Sequence, residues 1–288
     1  MSVFSQKNEK VKDPYRNRFT RIVKSQESDI SDLNDDLIDR VNFEVKKNIN
    51  DESKIISSFV PILTFWGGSL IKLMTKYNVS TSEIIVDQQK ELISKTYGSF
   101  EYDRLLKQAS NNVVTDMAKN FPKRIFPGSN ASIGAKIVTV QGSAKKTLMD
   151  ILTLGIERGF GAKEISEMMD NFIKPVDSKK WIGPYDWYRD KFGIKVNIKP
   201  PTRVAGSVHF NSIRIARTEI NHTYRMTTVD LNRKQPWVEG FEWNLSPAHP
   251  EYDICDEWIK GNPYTEAGIR ELGHPYCMCY VTTKLKKI

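Results

Sequence analysis

Cysteine and long apolar runs are the scarce features of this chain of 288 residues. All three cysteines stand at or after residue 255, and three closely spaced thiols cannot all pair, which favours metal binding over disulfides. No run approaches the roughly 20 apolar residues of a membrane-spanning helix. The most apolar stretch, residues 55–74, contains serines, glycines, a lysine and Pro61, and predicts a buried helix with a break at that proline. We therefore expect no membrane partner.

The polar amino terminus lacks the apolar core of a secretory signal. Free thiols and the absence of such a signal predict synthesis in a reducing cytoplasm. Hydrophobic residues make up 39% of the chain and aromatic residues 10%, which is typical of a packed core and argues against a disordered chain.

The formal net charge is +8, and residues 101–150 supply half of the excess, with eight basic and four acidic side chains. A basic segment is typical of contact with nucleic acid or an acidic partner, although a solvated helix surface gives the same pattern. The candidate contacts are Lys119, Lys123, Arg124, Lys136, Lys145 and Lys146.

Apolar periodicity predicts four successive parts: a mobile arm (1–28), a helical domain (29–127), a helical hairpin with an irregular aromatic and proline-rich loop (128–205), and a carboxy-terminal module (206–288). Within the helical domain, one helix is expected to end near residues 48–50, the next to begin at Asp51, and another to be capped at Ser80 to Glu83.

The hairpin is predicted from a helix over residues 144–158, a glycine turn, and a helix over 162–172. A helix that reads DNA is basic, whereas three acidic residues and one lysine occupy the second helix, so an ordinary hairpin is favoured. The last module is predicted to hold a helix over 209–234 and strands over 237–245 and 276–284 that pair. The expected fold class is therefore α+β, predominantly helical, with a two-stranded sheet.

The strongest chemical pattern lies in the last module. Cys277 and Cys279 stand two apart on a predicted strand, so both sulfurs are expected on one face. With Cys255 and His274 they form a Cys₃His set, which is typical of a closed, structural zinc site. The rival imidazole is His249. The acceptors expected for the N–H of the ligand histidine are Asp253 and Asp256.

Other interpretations of the same residues stay open. The thiols could be buried as small hydrophobic groups, or Cys255 could act as a nucleophile with a histidine and Asp253. A nuclease site for a hard cation could use Asp253, Asp256 and Glu257 with His249 and His274, although a site rich in thiols is a poor match for such ions.

Four motifs stand in order along the second half of the chain: Gly155-Ile156-x-x-Gly159-x-Gly161-x-x-Glu164-Ile165, Ala216-Arg217-Thr218-Glu219, Asp253-Ile254-Cys255-Asp256 and His274-Pro275-x-Cys277-x-Cys279. Together they resemble the phage Mu F-like minor head proteins, the head morphogenesis family of tailed bacteriophages. The resemblance covers residues 140–285, and only Cys255 stands where many family members have two upstream cysteines.

The resemblance implies a protein of the capsid interior. The sequence contains no coherent catalytic set, so we expect a protein that is not an enzyme and is made in the host cytoplasm. It would associate with the portal and act in head assembly, DNA packaging or DNA delivery, with major capsid or scaffolding protein and phage DNA as further partners. It also implies that Arg217 and Glu219 form a buried polar contact that ties their helix to the His/Cys segment. The alternatives are a metal-dependent DNA-processing nuclease and a non-catalytic DNA-binding module.

Overall fold

The computed structural model describes residues 14–97, 102–126, 129–174, 207–233, 235–246, 249, 252–265, 268–269 and 277–286. Three predictions concern residues outside this set: residues 1–13 of the mobile arm, the aromatic loop from residue 175 to 205, and the ligand His274. The described elements are α1 (Pro14–Lys47), α2 (Glu52–Tyr97), α3 (Tyr102–Asn120), α4 (Ile133–Glu157), α5 (Ala162–Ile173), α6 (Val208–Asn232), β1 (Val238–Asn244), α7 (Ile254–Ile259) and β2 (Tyr280–Leu285).

The predicted fold class is confirmed: the protein is mainly helical, with one small antiparallel sheet among its described residues. The predicted pairing of the last two strands is also found, with Phe241 opposite Thr283 and Trp243 opposite Val281. Alternating side chains place Phe241, Trp243 and Val281 in the core, because successive residues of a strand point to opposite faces.

Two predictions about the amino-terminal half were wrong. Residues 14–28, assigned to a mobile arm, form the first turns of α1. The helix α2 neither breaks at Pro61 nor restarts near Ser80. Thr81 and Ser82 donate their hydroxyls to the carbonyls of Tyr77 and Asn78, one turn earlier, instead of capping a new helix.

Burial explains why α2 continues through its proline. An interior proline costs about 3 kcal/mol, whereas each large apolar side chain that becomes buried contributes about 1.5–3 kcal/mol. The stripe of buried side chains runs on both sides of Pro61 and consists of Ile55, Phe59, Leu63, Trp66 and Leu70.

Among the described residues, α2 is also the one helix long and apolar enough to cross a membrane. That test is weak support for a membrane span, since the core helix of a soluble protein passes it equally well. The absence of a membrane partner stays a prediction.

The chain forms two compact units that interleave in sequence, which differs from the four consecutive parts predicted. Unit 1 comprises Met1–Gln26, Met74–Asn130 and Ala216–Ile288, and unit 2 comprises Glu27–Leu73 and Ala131–Ile215. A local sequence pattern cannot reveal this division, because three of its four boundaries lie inside long helices.

Unit 2 contains the predicted hairpin as α4 and α5, and α4 begins earlier than expected, at Ile133. Gly155 allows the two helices to approach, because a Cβ there would lie 2.6 Å from Cγ1 of Ile165. Gly159 supplies the turn with φ of 71°. The glycines of the motif are therefore explained by helix packing and by the turn.

Unit 1 is built around α6, which runs parallel to the second half of α2. A row of buried polar pairs joins them: Thr223 donates to Asn78 at 2.5 Å, Ser82 and Thr227 share a 3.1 Å hydrogen bond, and Asn232 donates to Gln89 at 3.0 Å. The partner numbers rise together, so the helices point the same way and their register is specified by hydrogen bonds. The other face of α6 meets the cysteines.

Candidate metal centre

The three cysteines converge in unit 1. Cys255, Cys277 and Cys279 are all buried and unpaired, and their sulfurs lie within 4.8 Å of one another. The Sγ atoms of Cys255 and Cys277 are 3.5 Å apart. Buried residues surround them, namely Val229, Phe241, Trp243 and Val281. This cluster could bind a metal ion, because a set of thiols with mutual contacts can share one cation.

The Cys-x-Cys segment lies directly before β2, which begins at Tyr280 rather than at the predicted residue 276. Its carbonyl groups are held by side chains from helices. Asn221 donates to the carbonyl oxygens of Cys277 and Cys279. Arg16 donates to that of Met278 at 2.6 Å. These bonds fix the direction in which both thiols point.

Cys255 is positioned by the short helix α7. Asp253 is its N-cap and accepts the backbone N–H of Cys255 at 2.7 Å, while Asp256 accepts the backbone N–H of Asp253 at 2.8 Å. This reciprocal arrangement is a capping box, which satisfies the free amides at the start of a helix. It orients the first turn of α7 so that Cys255 faces the other two thiols.

The fourth group next to the thiols is His249. Its Nδ1 lies 3.8 Å from Sγ of Cys279, and its Nε2 lies 2.8 Å from Oδ2 of Asp256. The side chain is only 11% exposed. One ring nitrogen therefore faces the sulfurs while a carboxylate holds the other, the arrangement expected of a histidine ligand.

The ionisable groups of the cluster differ in the direction of their pKa shifts. The pKa of the Cys277 thiol is held well below its usual range, because it accepts hydrogen bonds from Cys255 and Cys279 and lies beside the guanidinium of Arg225. The pKa of Cys255 is raised by its bonds to the other two thiols and by burial. Hydrogen bonds, chiefly from the backbone N–H of Asp253, lower the pKa of Asp256 and keep it ionised beside His249.

Arg225 and Asn221 were both missed by sequence reasoning. They stand four residues apart on α6, so they share a face. Arg225 Nη1 is 3.6 Å from Sγ of Cys277 and 3.4 Å from the carbonyl oxygen of Cys279. The spacing was a visible signal, but nothing local indicated which element that face would meet.

The role predicted for Arg217 and Glu219 stays a prediction. Glu219 is buried, with 1% of its surface exposed, and its Oε1 has no hydrogen-bond partner. Burial raises its pKa to about 8 against the opposing charges of Arg124 and Arg225. One turn later, His222 is buried with neither ring nitrogen bonded, and burial lowers its pKa to about 3. Two buried groups are thus kept neutral close to two arginines.

The six candidate basic contacts are divided between the units. Lys119, Lys123 and Arg124 belong to unit 1, and the other three, Lys136, Lys145 and Lys146, lie on α4 in unit 2. Arg124 is half-buried and donates to the sulfur of Met117 at 3.2 Å. Lys136 and Lys145 are nine residues apart, which at 100° per residue places them on opposite sides of α4.

Comparisons with known proteins complete the description of the centre: no family model, no curated protein and no solved structure matches the chain.

Proposed function

We propose that the carboxy-terminal module holds a structural zinc ion through Cys255, Cys277, Cys279 and His249. The observation that carries the proposal is the imidazole of His249, with Nδ1 3.8 Å from the sulfur of Cys279 and Nε2 held by Asp256. Isolated thiols would need no such oriented histidine. His274, the first choice from spacing, lies outside the described residues.

Zinc fits this donor set better than the other common divalent ions do. Thiolates and imidazole are soft or borderline ligands, which magnesium and calcium avoid. Three sulfurs and one nitrogen complete a tetrahedral shell and leave no position for a reacting water, so the ion would stabilise the fold. The ion would be held between the first turn of α7, the segment directly before β2 and the segment that follows β1.

The fourth ligand can be tested by two matched alanine variants. We expect the wild-type protein to bind one zinc ion per chain and His249→Ala to bind it more than about 100-fold more weakly, because loss of a group that only orients a ligand already costs about 10–100-fold. His274→Ala should retain the affinity. The measurement is competition with a zinc-binding dye. The opposite ranking of the two variants would assign the ligand to His274.

For the role of the whole protein we propose a minor head protein of a tailed phage that associates with the portal and acts in head assembly, DNA packaging or DNA delivery. The motifs shared with the Mu F-like proteins are the main support. The engagement of the nearby carboxylates adds to it: Asp253 and Asp256 cap α7, and Glu257 pairs with Lys260 at 2.9 Å. A nuclease would need such oxygens free to bind a hard cation.

This role predicts that the chain is a component of the virion. Quantitative mass spectrometry of purified particles, with the portal protein as internal standard, should find a few copies for each portal. Absence from both mature particles and precursor shells would contradict the proposal. Divalent-ion-dependent cleavage of plasmid DNA by the purified chain would then favour a nuclease, and salt-sensitive DNA binding without cleavage would favour a DNA-binding module.

A further inference from the structure

Arg225 is a buried cation with few contacts that could compensate its charge. Only 1% of its surface is exposed. Its Nη1 faces Cys277 Sγ and the carbonyl of Cys279, whereas Nε and Nη2 have no hydrogen-bond partner. The guanidinium lies 5.2 Å from the ring centroid of Trp243. A ring face, one carbonyl and the sulfur of Cys277 leave two donors of a buried charge without acceptors, and removing an ion from water costs several kcal/mol.

The charges of the proposed metal centre supply what is missing. Three thiolates and one neutral imidazole around a divalent ion leave one net negative charge, and the guanidinium contributes one positive charge. The buried group of ion, ligands and Arg225 is then neutral. Phe241, Trp243 and Val281 pack around this group, so a net charge there would be screened weakly.

We propose that Arg225 is the charge partner of the metal centre, which it stabilises through the guanidinium contact to Cys277. The inference rests on the proposed metal site and names a residue that is not itself a ligand. This role differs from that of Asn221, which holds the same Cys-x-Cys segment through neutral hydrogen bonds alone. Arg225 should therefore matter most when the ion is bound, whereas Asn221 should matter with or without it.

The two roles have different signatures in the metal-free protein. Removing one partner of a buried ion pair is destabilising, and Arg225 neutralises the net charge of the ion and its three thiolates only when the ion is bound. Arg225→Met should therefore lower the melting temperature of the zinc-bound protein more than that of the metal-free protein. Asn221→Ala should lower both, because its carbonyl partners are left unpaired.

The experiment compares the full-length wild type with Arg225→Met, Arg225→Lys and Asn221→Ala. Zinc affinity is measured by chelator competition, and thermal unfolding is followed with zinc and after its removal. We expect Arg225→Met to bind zinc about 10–100-fold more weakly, as is found when groups around metal ligands are removed. Arg225→Lys should restore most of the affinity, because it returns the charge. With cobalt(II) in place of zinc, the thiolate-to-metal charge-transfer band should move to lower energy in Arg225→Met, since Cys277 loses an N–H donor.

Equal zinc affinity in the wild type and Arg225→Met would overturn the inference. An equal fall in melting temperature with and without zinc would also do so, because that is the behaviour of a purely structural side chain. A wild-type protein that binds no zinc would contradict the metal site itself, and the binding measurement on the wild type separates that failure from the others.

Discussion

Removal of zinc is expected to lower the melting temperature of the protein by about 10 °C. A ligand present at 1,000 times its dissociation constant stabilises the folded state by about 4 kcal/mol, and each kcal/mol moves the midpoint of a domain of this size by roughly 2–4 °C. The effect is large because the thiols are part of a core cluster with Val229, Phe241, Trp243 and Val281. Without an ion, three polar sulfurs meet one another inside that cluster.

Two variants test whether this stabilisation comes from the bound ion or from apolar packing in the same cluster. Cys277→Ser removes a ligand, so its melting temperature should be low and should no longer respond to a chelator. Val229→Ala removes methyl groups from the same cluster without touching a ligand, and it should cost about 1 kcal/mol or more while the response to the chelator is retained. Thermal unfolding followed by circular dichroism measures both. A wild type whose unfolding is indifferent to the chelator would argue against a stabilising ion.

The parts of the fold that sequence could predict are those governed by local pattern. Alternation of apolar and polar residues marked β1 and β2, and the concentration of Cys and His marked the residues that converge. Helix existence was predictable, yet helix ends were not: Thr81 and Ser82 are good caps in isolation, but inside α2 their hydroxyls bond the preceding turn. The tertiary burial of the α2 stripe decided this, and no local pattern encodes it.

The missing parts of the site have the same origin. Asn221 and Arg225 act on a segment more than fifty residues away in sequence, across a distance that only the folded chain closes. The choice between two histidines was open for a related reason: both stand close to a cysteine in sequence, and the carboxylate of Asp256 that orients His249 is identified by geometry.

The buried carboxyl group of Glu219 is expected to lower the stability of the protein as the pH rises from about 4.5 to about 8, the interval between its ordinary and its folded pKa. Its pKa is raised from about 4.5 to about 8, chiefly by burial. Between these values the folded state binds a proton that the unfolded state has lost, so stability declines with increasing pH. At 1.36 kcal/mol per unit of pKa, the full loss is on the order of 5 kcal/mol by the time the pH exceeds the folded pKa.

Glu219→Gln should remove this decline, because the amide has no proton to lose. Its unfolding free energy should exceed that of the wild type at pH 9, and the difference should shrink as the pH falls to 6. The matched control is Glu239→Gln, which removes an exposed carboxylate that pairs with Lys284 at 2.7 Å. This control should unfold with the pH dependence of the wild type. Urea unfolding at pH 6, 7, 8 and 9 measures all three proteins, and a wild type as stable at pH 9 as at pH 6 would contradict the expectation.

His222, on the same part of α6, should change the stability of the protein in the opposite direction, because its stabilising contribution is lost as the pH falls. Burial, with added repulsion from Arg124 and Arg225, lowers the pKa of His222 to about 3, whereas the unfolded chain keeps the ordinary value of 6.5. The unfolded state therefore gains a proton first as the pH falls, and the contribution of His222 to stability declines below about 6.5. Between about pH 4.5 and 6.5 the effects of Glu219 and His222 have opposite slopes and cancel, so these two groups predict a plateau of maximum stability over that range. The variant His222→Gln cannot gain a proton. Its unfolding free energy, relative to that of the wild type, should therefore be higher at pH 4.5 than at pH 6.5. If the variant and the wild type had the same pH dependence of stability between pH 4.5 and 6.5, His222 would be exposed to water when the protein is folded.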